Sequence, residues 1–117
     1  MATPVLNLCP YALDICATRG DSTPMTFQMQ DAAGNDLTIT GRTYIFTVNT
    51  EEEPTDSSNE VFNLTGTVST PNVTFAPTTA NMNQTPADYF YDLQEDNAGD
   101  LRTVAKGKFE IKQDITK

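Results

Sequence analysis

Between Arg42 and Thr50 the side chains alternate, with Tyr44, Phe46 and Val48 on one face and Ile45 and Thr47 on the other. A period of two belongs to a strand with one face buried, because successive side chains leave an extended backbone on opposite sides. The same pattern returns at Met25–Asp31, where Met25, Phe27 and Met29 oppose Thr26, Gln28 and Gln30. It returns again at Ala87–Glu95, where Tyr89, Tyr91 and Leu93 oppose Phe90, Asp92 and Gln94. Phe109 and Ile111 alternate with Lys108, Glu110 and Lys112 in a last strand. No amphipathic helical run is long enough to supply a layer of helices, so the core must be built by sheets alone.

Less regular segments fill the intervals. Val5–Cys9 reads as an extended piece and Leu13–Thr18 as the first firm strand. Ala32–Asp36 is a turn in which Gly34 and Asn35 accept positive φ. Glu51–Asn59 is an acidic loop interrupted by Pro54, and Glu60–Val68 and Asn72–Ala76 are strands separated by Ser69-Thr70-Pro71. Pro77–Pro86 is polar, with one helical turn expected at Thr79–Met82. Asp96–Asp100 is a hairpin turn from which Leu101–Lys106 pairs back. About seven or eight short strands in a chain of domain size predict an all-β fold. Specifically, they predict a single antiparallel β-sandwich, immunoglobulin-like in plan, over residues 13–117, with residues 1–12 as an N-terminal arm or an extra strand. Tyr89, at the start of a late strand, is placed to hydrogen-bond back to upstream backbone as a tyrosine corner or to serve as a core aromatic.

Seven basic and sixteen acidic residues leave a net charge of −9. A surface that negative repels phosphate backbones and anionic lipid, so neither nucleic acid nor membrane is an expected partner. No apolar window has the length of a membrane span, and Met1–Ala12 has no basic start or long apolar core of a secretory leader. With no histidine the commonest general base and metal ligand is missing, and no nucleophile elbow, phosphate loop or dinucleotide fingerprint is present. Two cysteines, Cys9 and Cys16, cannot make a structural zinc site without histidine; a turn back around Pro10-Tyr11 would bring them within disulfide range, and otherwise they read as small apolar side chains kept reduced. The acidic turns Asp31–Asp36 and Asp92–Asp100 lack the spacing of a calcium loop and read as turn chemistry. The tripeptide Arg19-Gly20-Asp21 reads as a strand-to-strand corner, and the three Asn-x-Thr sequons as chance. The expectation is a protein that is not an enzyme and carries no cofactor.

The order of several pieces is familiar. Thr18-Arg19-Gly20-Asp21-Ser22-Thr23-Pro24 leads into a strand with Phe27, and Asp31-x-x-Gly34-Asn35 is followed by Leu37-Thr38-Ile39-Thr40-Gly41 and an aromatic strand. Later come Tyr89-Phe90-Tyr91-Asp92-Leu93, an acidic glycine turn, and Gly107-Lys108-Phe109-Glu110-Ile111 running to Asp114-Ile115-Thr116. Over residues 18–116 this resembles the small immunoglobulin-like domains of phage tail and baseplate proteins, in particular the N-terminal domain family of upper baseplate proteins. It departs from them in the Cys9–Cys16 segment, in Pro86-Ala87-Asp88 where a glycine is expected before the tyrosines, and in lacking a fibre or coiled-coil continuation. The resemblance implies a non-enzymatic virion structural protein of a tailed bacteriophage, assembled in the host cytoplasm. Such a protein is a docking module of the tail, baseplate or fibre-adaptor region, present in multiple copies or as a homo-oligomer, with other virion proteins as partners.

Two other roles suit a small acidic β-protein: a capsid decoration protein, and a free-standing adhesion or carbohydrate-binding module. The last requires an exposed aromatic platform, for which Tyr11 and Phe62 are the candidates. For docking, the candidate segment is the arm with Val5, Leu6, Leu8 and Tyr11, which is apolar and suits a partner groove or an open sheet edge. Arg19, Gly20 and Asp21 are the candidates for a structurally strict corner, where Asp21→Ala is expected to lower thermal stability. Tyr89, Tyr91 and Phe109 are the candidate core aromatics.

Overall fold

The computed structural model describes residues 11–31 and 33–115. Val5, Leu6, Leu8 and Cys9 lie outside the described residues, and so does any pairing of Cys9 with Cys16, which stands exposed. The strands in chain order are β1 (Tyr11–Ala12), β2 (Ile15–Thr18), β3 (Met25–Gln28), β4 (Thr43–Asn49), β5 (Glu60–Thr65), β6 (Thr67–Ser69) and β7 (Asn72–Phe75). A single helical turn, α1 (Thr79–Met82), precedes the two longest strands, β8 (Ala87–Asn97) and β9 (Asp100–Lys112). One sheet has the order β1-β9-β8-β4-β5, with β2 following β1 along the same edge of β9, and the other has the order β3-β7-β6.

The two sheets meet through the alternating side chains that the sequence exposes. Tyr44, Phe46 and Val48 of β4 and Leu93 of β8 are sealed from solvent. Directly paired residues share a face, and Phe46 lies opposite Leu93 and Val48 opposite Tyr91. From the smaller sheet, Val73 and Phe75 are fully buried, and Phe27 packs against them. Phe46 sits at the crossing. Its ring stacks on Tyr91 at 4.9 Å and meets Phe75 at 5.6 Å, Phe109 at 5.8 Å and Phe27 at 6.2 Å. Offset and edge-on pairs of this kind add to the burial of each ring.

Glu95 also faces inward, near the hairpin end of β8, and is 8% exposed. It is tolerated there because its Oε2 accepts the Tyr44 hydroxyl at 2.6 Å and lies 3.4 Å from Arg42 Nη1. A buried carboxylate needs that kind of pairing and donor. Burial, followed by the hydrogen bond and charge of Glu95, pushes the Tyr44 phenol well above its ordinary range.

Turns follow their residue chemistry. Ala98 and Gly99 connect β8 to β9 with φ of 54° and 94°, and Asp96 Oδ1 accepts the Gly99 N–H at 2.9 Å. Asp31 Oδ1 accepts the Ala33 and Asn35 amides, each at 2.9 Å, and the hydrogen bonds, Asn35's foremost, hold its carboxyl below the ordinary carboxylate range. Thr78 caps α1 reciprocally: its hydroxyl accepts the Asn81 N–H at 3.0 Å while Asn81 Oδ1 accepts the Thr78 N–H at 2.8 Å.

Three sequence expectations change. The segment Glu60–Val68 is not one strand: it divides at Gly66, leaving the first sheet as β5 and joining the second as β6. A Cβ at Gly66 would stand 2.4 Å from Val73 Cγ2 and 3.0 Å from the Phe75 ring, so the crossing needs glycine. Leu101–Lys106 and the last strand are one element, β9, whose irregularity is a bulge at Val104, opposite the step from Leu93 to Gln94 in its partner β8. The expected wholly antiparallel arrangement is instead mixed. Both β1 and β2 run parallel to β9, Tyr11 beside Ala105 and Ile15 beside Phe109. Parallel neighbours need a long crossover, and here everything between the first and last strands provides it.

Candidate functional site

Along its edge of β9 the N-terminal segment is interrupted at Leu13 and Asp14, and the interruption is bridged by two side chains, those of Asp14 and Tyr91. The Leu13 N–H donates to the Lys106 carbonyl at 3.1 Å. Asp14 Oδ1 then replaces a backbone acceptor and takes the Lys108 N–H at 3.0 Å. From β8, the Tyr91 hydroxyl passes Gly107, its pairing partner, and donates to the Leu13 carbonyl at 2.5 Å. A Cβ on Gly107 would stand 2.1 Å from that carbonyl oxygen. Burial, then the charge of Asp14, raises the Tyr91 phenol to about 12.

The residues singled out from sequence fall in three places. Tyr89, Tyr91 and Phe109 are buried at 7%, 4% and 0% exposure. The Tyr89 hydroxyl also donates to the Thr85 carbonyl at 2.5 Å, four residues upstream. Arg19, Gly20 and Asp21 form the corner between β2 and β3, which docks on the end of α1. The Gly20 N–H donates to the Met82 carbonyl at 2.9 Å, Arg19 Nε donates to Asn83 Oδ1 at 3.1 Å, and Gly20 has φ of 82°. Asp21 contributes its main-chain N–H to the Thr18 carbonyl, while its side chain is exposed. Of the candidate arm, Tyr11 enters the sheet in β1. Phe62, a candidate platform, is buried and meets Phe109 edge-on at 6.3 Å. The regular β4–β5 register places it directly opposite Val48, as Leu64 lies opposite Phe46, and so turns it inward; the register shifts only beyond Val48.

The outer face of the larger sheet carries what the sequence reading missed. Thr47, Asp92 and Lys106 form one row across β4, β8 and β9, and Asn49, Phe90 and Lys108 form the next. With the loop residues Glu51, Glu52 and Pro54 and with Thr103, these residues other than Lys108 line a concavity of about 320 Å³. Phe90 is half-buried there and, among the described residues, lies outside the aromatic core cluster. Ile45 and Leu101 share this face, paired with Gln94 and Asp96, and are 38% and 64% exposed. The signal was available: Phe90 is the aromatic out of phase with Tyr89, Tyr91 and Leu93.

The charges of the concavity are unequal. Glu51, Glu52 and Asp92 face a single lining cation, Lys106, in its main part. Lys108 borders a second part of the depression and lies 3.7 Å from Asp88. Asn49 Oδ1 is used by the Glu51 N–H at 2.8 Å, and Glu51 Oε1 accepts Asn59 Nδ2 at 3.2 Å. Asp92 is exposed by area, yet concave surroundings remove part of its solvation. That desolvation raises its carboxyl above the ordinary range, and the charge of Lys106 offsets it only in part. Among the described residues, no group of His, Cys, Asp or Glu is arranged to hold a metal ion, and no helix is long and apolar enough to cross a membrane.

No family model matches the sequence. No curated protein matches it either. Among solved structures, an uncharacterised protein from Bacillus anthracis str. Ames aligns over 88% of this chain and 85% of its own, with 11% identity and a TM-score of 0.45. A 2,6-sialyltransferase from Vibrionaceae Photobacterium sp. JT-ISH-224 aligns over 90% of this chain and 18% of its own, with 12% identity and a TM-score of 0.36. Similarities at that level carry nothing about what this chain does.

Proposed function

We propose that the chain is an immunoglobulin-like β-sandwich acting as a non-enzymatic docking module in the particle of a tailed bacteriophage. The strand order supports the fold reading. If β3, β4, β5, β6, β7, β8 and β9 are taken as B, C, C′, D, E, F and G, the sheets become G-F-C-C′ and B-E-D, with the first strands added beside G. The bond from Tyr89 to Thr85 has the form of a tyrosine corner at the start of strand F.

The observation that carries the docking reading is the outer face of the G-F-C sheet, where Phe90, Ile45 and Leu101 lie on one surface without joining the core. Apolar side chains left uncovered on one sheet face, here interleaved with the polar row of Thr47, Asp92 and Lys106, offer a contact surface, because a partner that covers them gains their burial. The β5 edge at the far side of the same sheet supplies main-chain groups to a neighbour. The resemblance of residues 18–116 to upper baseplate domains supports the placement in the tail.

Quantitative mass spectrometry of purified particles against the major capsid protein tests this. Copies numbering in the tens or fewer support a tail part, copies in the hundreds would favour capsid decoration, and absence from particles would overturn the virion reading.

A further inference from the structure

Resting on the docking reading, and deepening it, we infer that the concavity over Phe90 and Asp92 receives an arginine side chain of the partner protein. Phe90 and Asp92 are two positions apart on β8 and therefore share a face about 7 Å apart along the strand. A guanidinium is planar: it stacks on an aromatic ring and presents a fork of N–H donors to a carboxylate. This surface offers both elements side by side. Glu52 and Asp92 are the lining carboxylates that no hydrogen-bond donor reaches among the described residues, and both belong to a chain whose net charge is −9. Thr47, beside Asp92 in its row, and Thr103, opposite Gln94 in the next, add hydroxyl acceptors.

The charge balance selects a cation. A neutral sugar would leave the carboxylates uncompensated, and an anionic ligand would be repelled by Glu51, Glu52 and Asp92 with Lys106 alone to attract it. Lys106, opposite Asp92, is the internal competitor that an arriving guanidinium displaces from the carboxylate's field.

Titration of isotope-labelled protein with N-acetyl-arginine amide, followed by amide chemical shifts, tests the inference. Saturable shifts are expected at Thr47, Phe90, Asp92 and Thr103. Phe90→Leu and Asp92→Asn should each weaken binding about threefold or more. Lys106→Met should strengthen it, an outcome that loss of folding cannot imitate. N-acetyl-lysine amide should bind more weakly than the arginine compound. Saturable shifts with methyl glucoside and none with the arginine compound would overturn the inference, as would arginine binding that survives Asp92→Asn or shifts spread over all acidic loops. A protein present in particles whose Phe90 face ignores arginine refutes this inference alone. Arginine binding by a protein absent from particles refutes the virion placement alone.

Discussion

The carboxylate of Asp14 accepts the main-chain N–H of Lys108 at 3.0 Å, joining positions 94 residues apart in the chain. A side chain near the start of the fold thus completes the ladder of the last strand, where the interruption between β1 and β2 leaves a donor without a backbone partner. Asp14→Ala should cost about 1 kcal/mol in urea unfolding, the range for an amide left with water alone. Asp14→Asn, which keeps an acceptor oxygen, should recover most of it. Equal losses for the two variants would contradict the role.

Gly107 makes that contact possible. Gly107→Ala brings a methyl group to 2.1 Å from the Leu13 carbonyl oxygen and 3.0 Å from Asp14 Oδ1. The N-terminal segment must then shift away, breaking the bond from Tyr91. A loss of about 1–3 kcal/mol is expected from such overpacking. Hydrogen exchange at the amides of Ile15–Thr18 should accelerate in this variant, and unchanged protection there would refute the description of the edge.

Stability should fall at alkaline pH through Tyr44 and Tyr91. Both phenols are held neutral in the fold, Tyr91 up to about 12, so the folded chain keeps protons that the unfolded chain releases near pH 10. Their contribution is whole below about pH 10 and is lost as pH rises through the folded values, at no more than about 1.4 kcal/mol per pH unit for each tyrosine. Ultraviolet titration of phenolate should show a late component that Tyr44→Phe and Tyr91→Phe each reduce. A titration unchanged by either substitution would contradict the assignment.

At the corner on α1, the glycine and not the aspartate carries the geometry. Gly20→Ala places a side chain at φ of 82° and should cost about 1 kcal/mol. Asp21→Ala, altering an exposed side chain, should change stability by less than about 0.5 kcal/mol. Thermal melts of the two variants in the reverse order would show that the Asp21 carboxylate has a structural partner.

The buried face of the fold was legible where alternation is strict, because Tyr44, Phe46 and Val48, and Tyr89, Tyr91 and Leu93, leave no other way to hide their rings. What could not be read was pairing at long separation. Nothing near Leu13 announces that β9 lies beside it, since the Tyr91 hydroxyl and the space above Gly107 come from the far end of the chain. Phe62 turns inward because it pairs with Val48, and which face of β5 meets the core is set by that pairing with a neighbouring strand and not by local pattern. The candidate surface is half-legible: alternation puts Phe90 with Asp92 and Gln94 on the face opposite Tyr89, Tyr91 and Leu93. The concavity around it needs the acidic loop at Glu51–Pro54, whose position no periodicity dictates.

Hydroxyl-radical footprinting of the free protein and of the same protein in purified particles, read at Phe90, tests the docking face most directly. The account predicts that Phe90 oxidation falls several-fold in the particle while the buried Phe75 is unchanged. Equal oxidation of Phe90 in both states would contradict docking through this face.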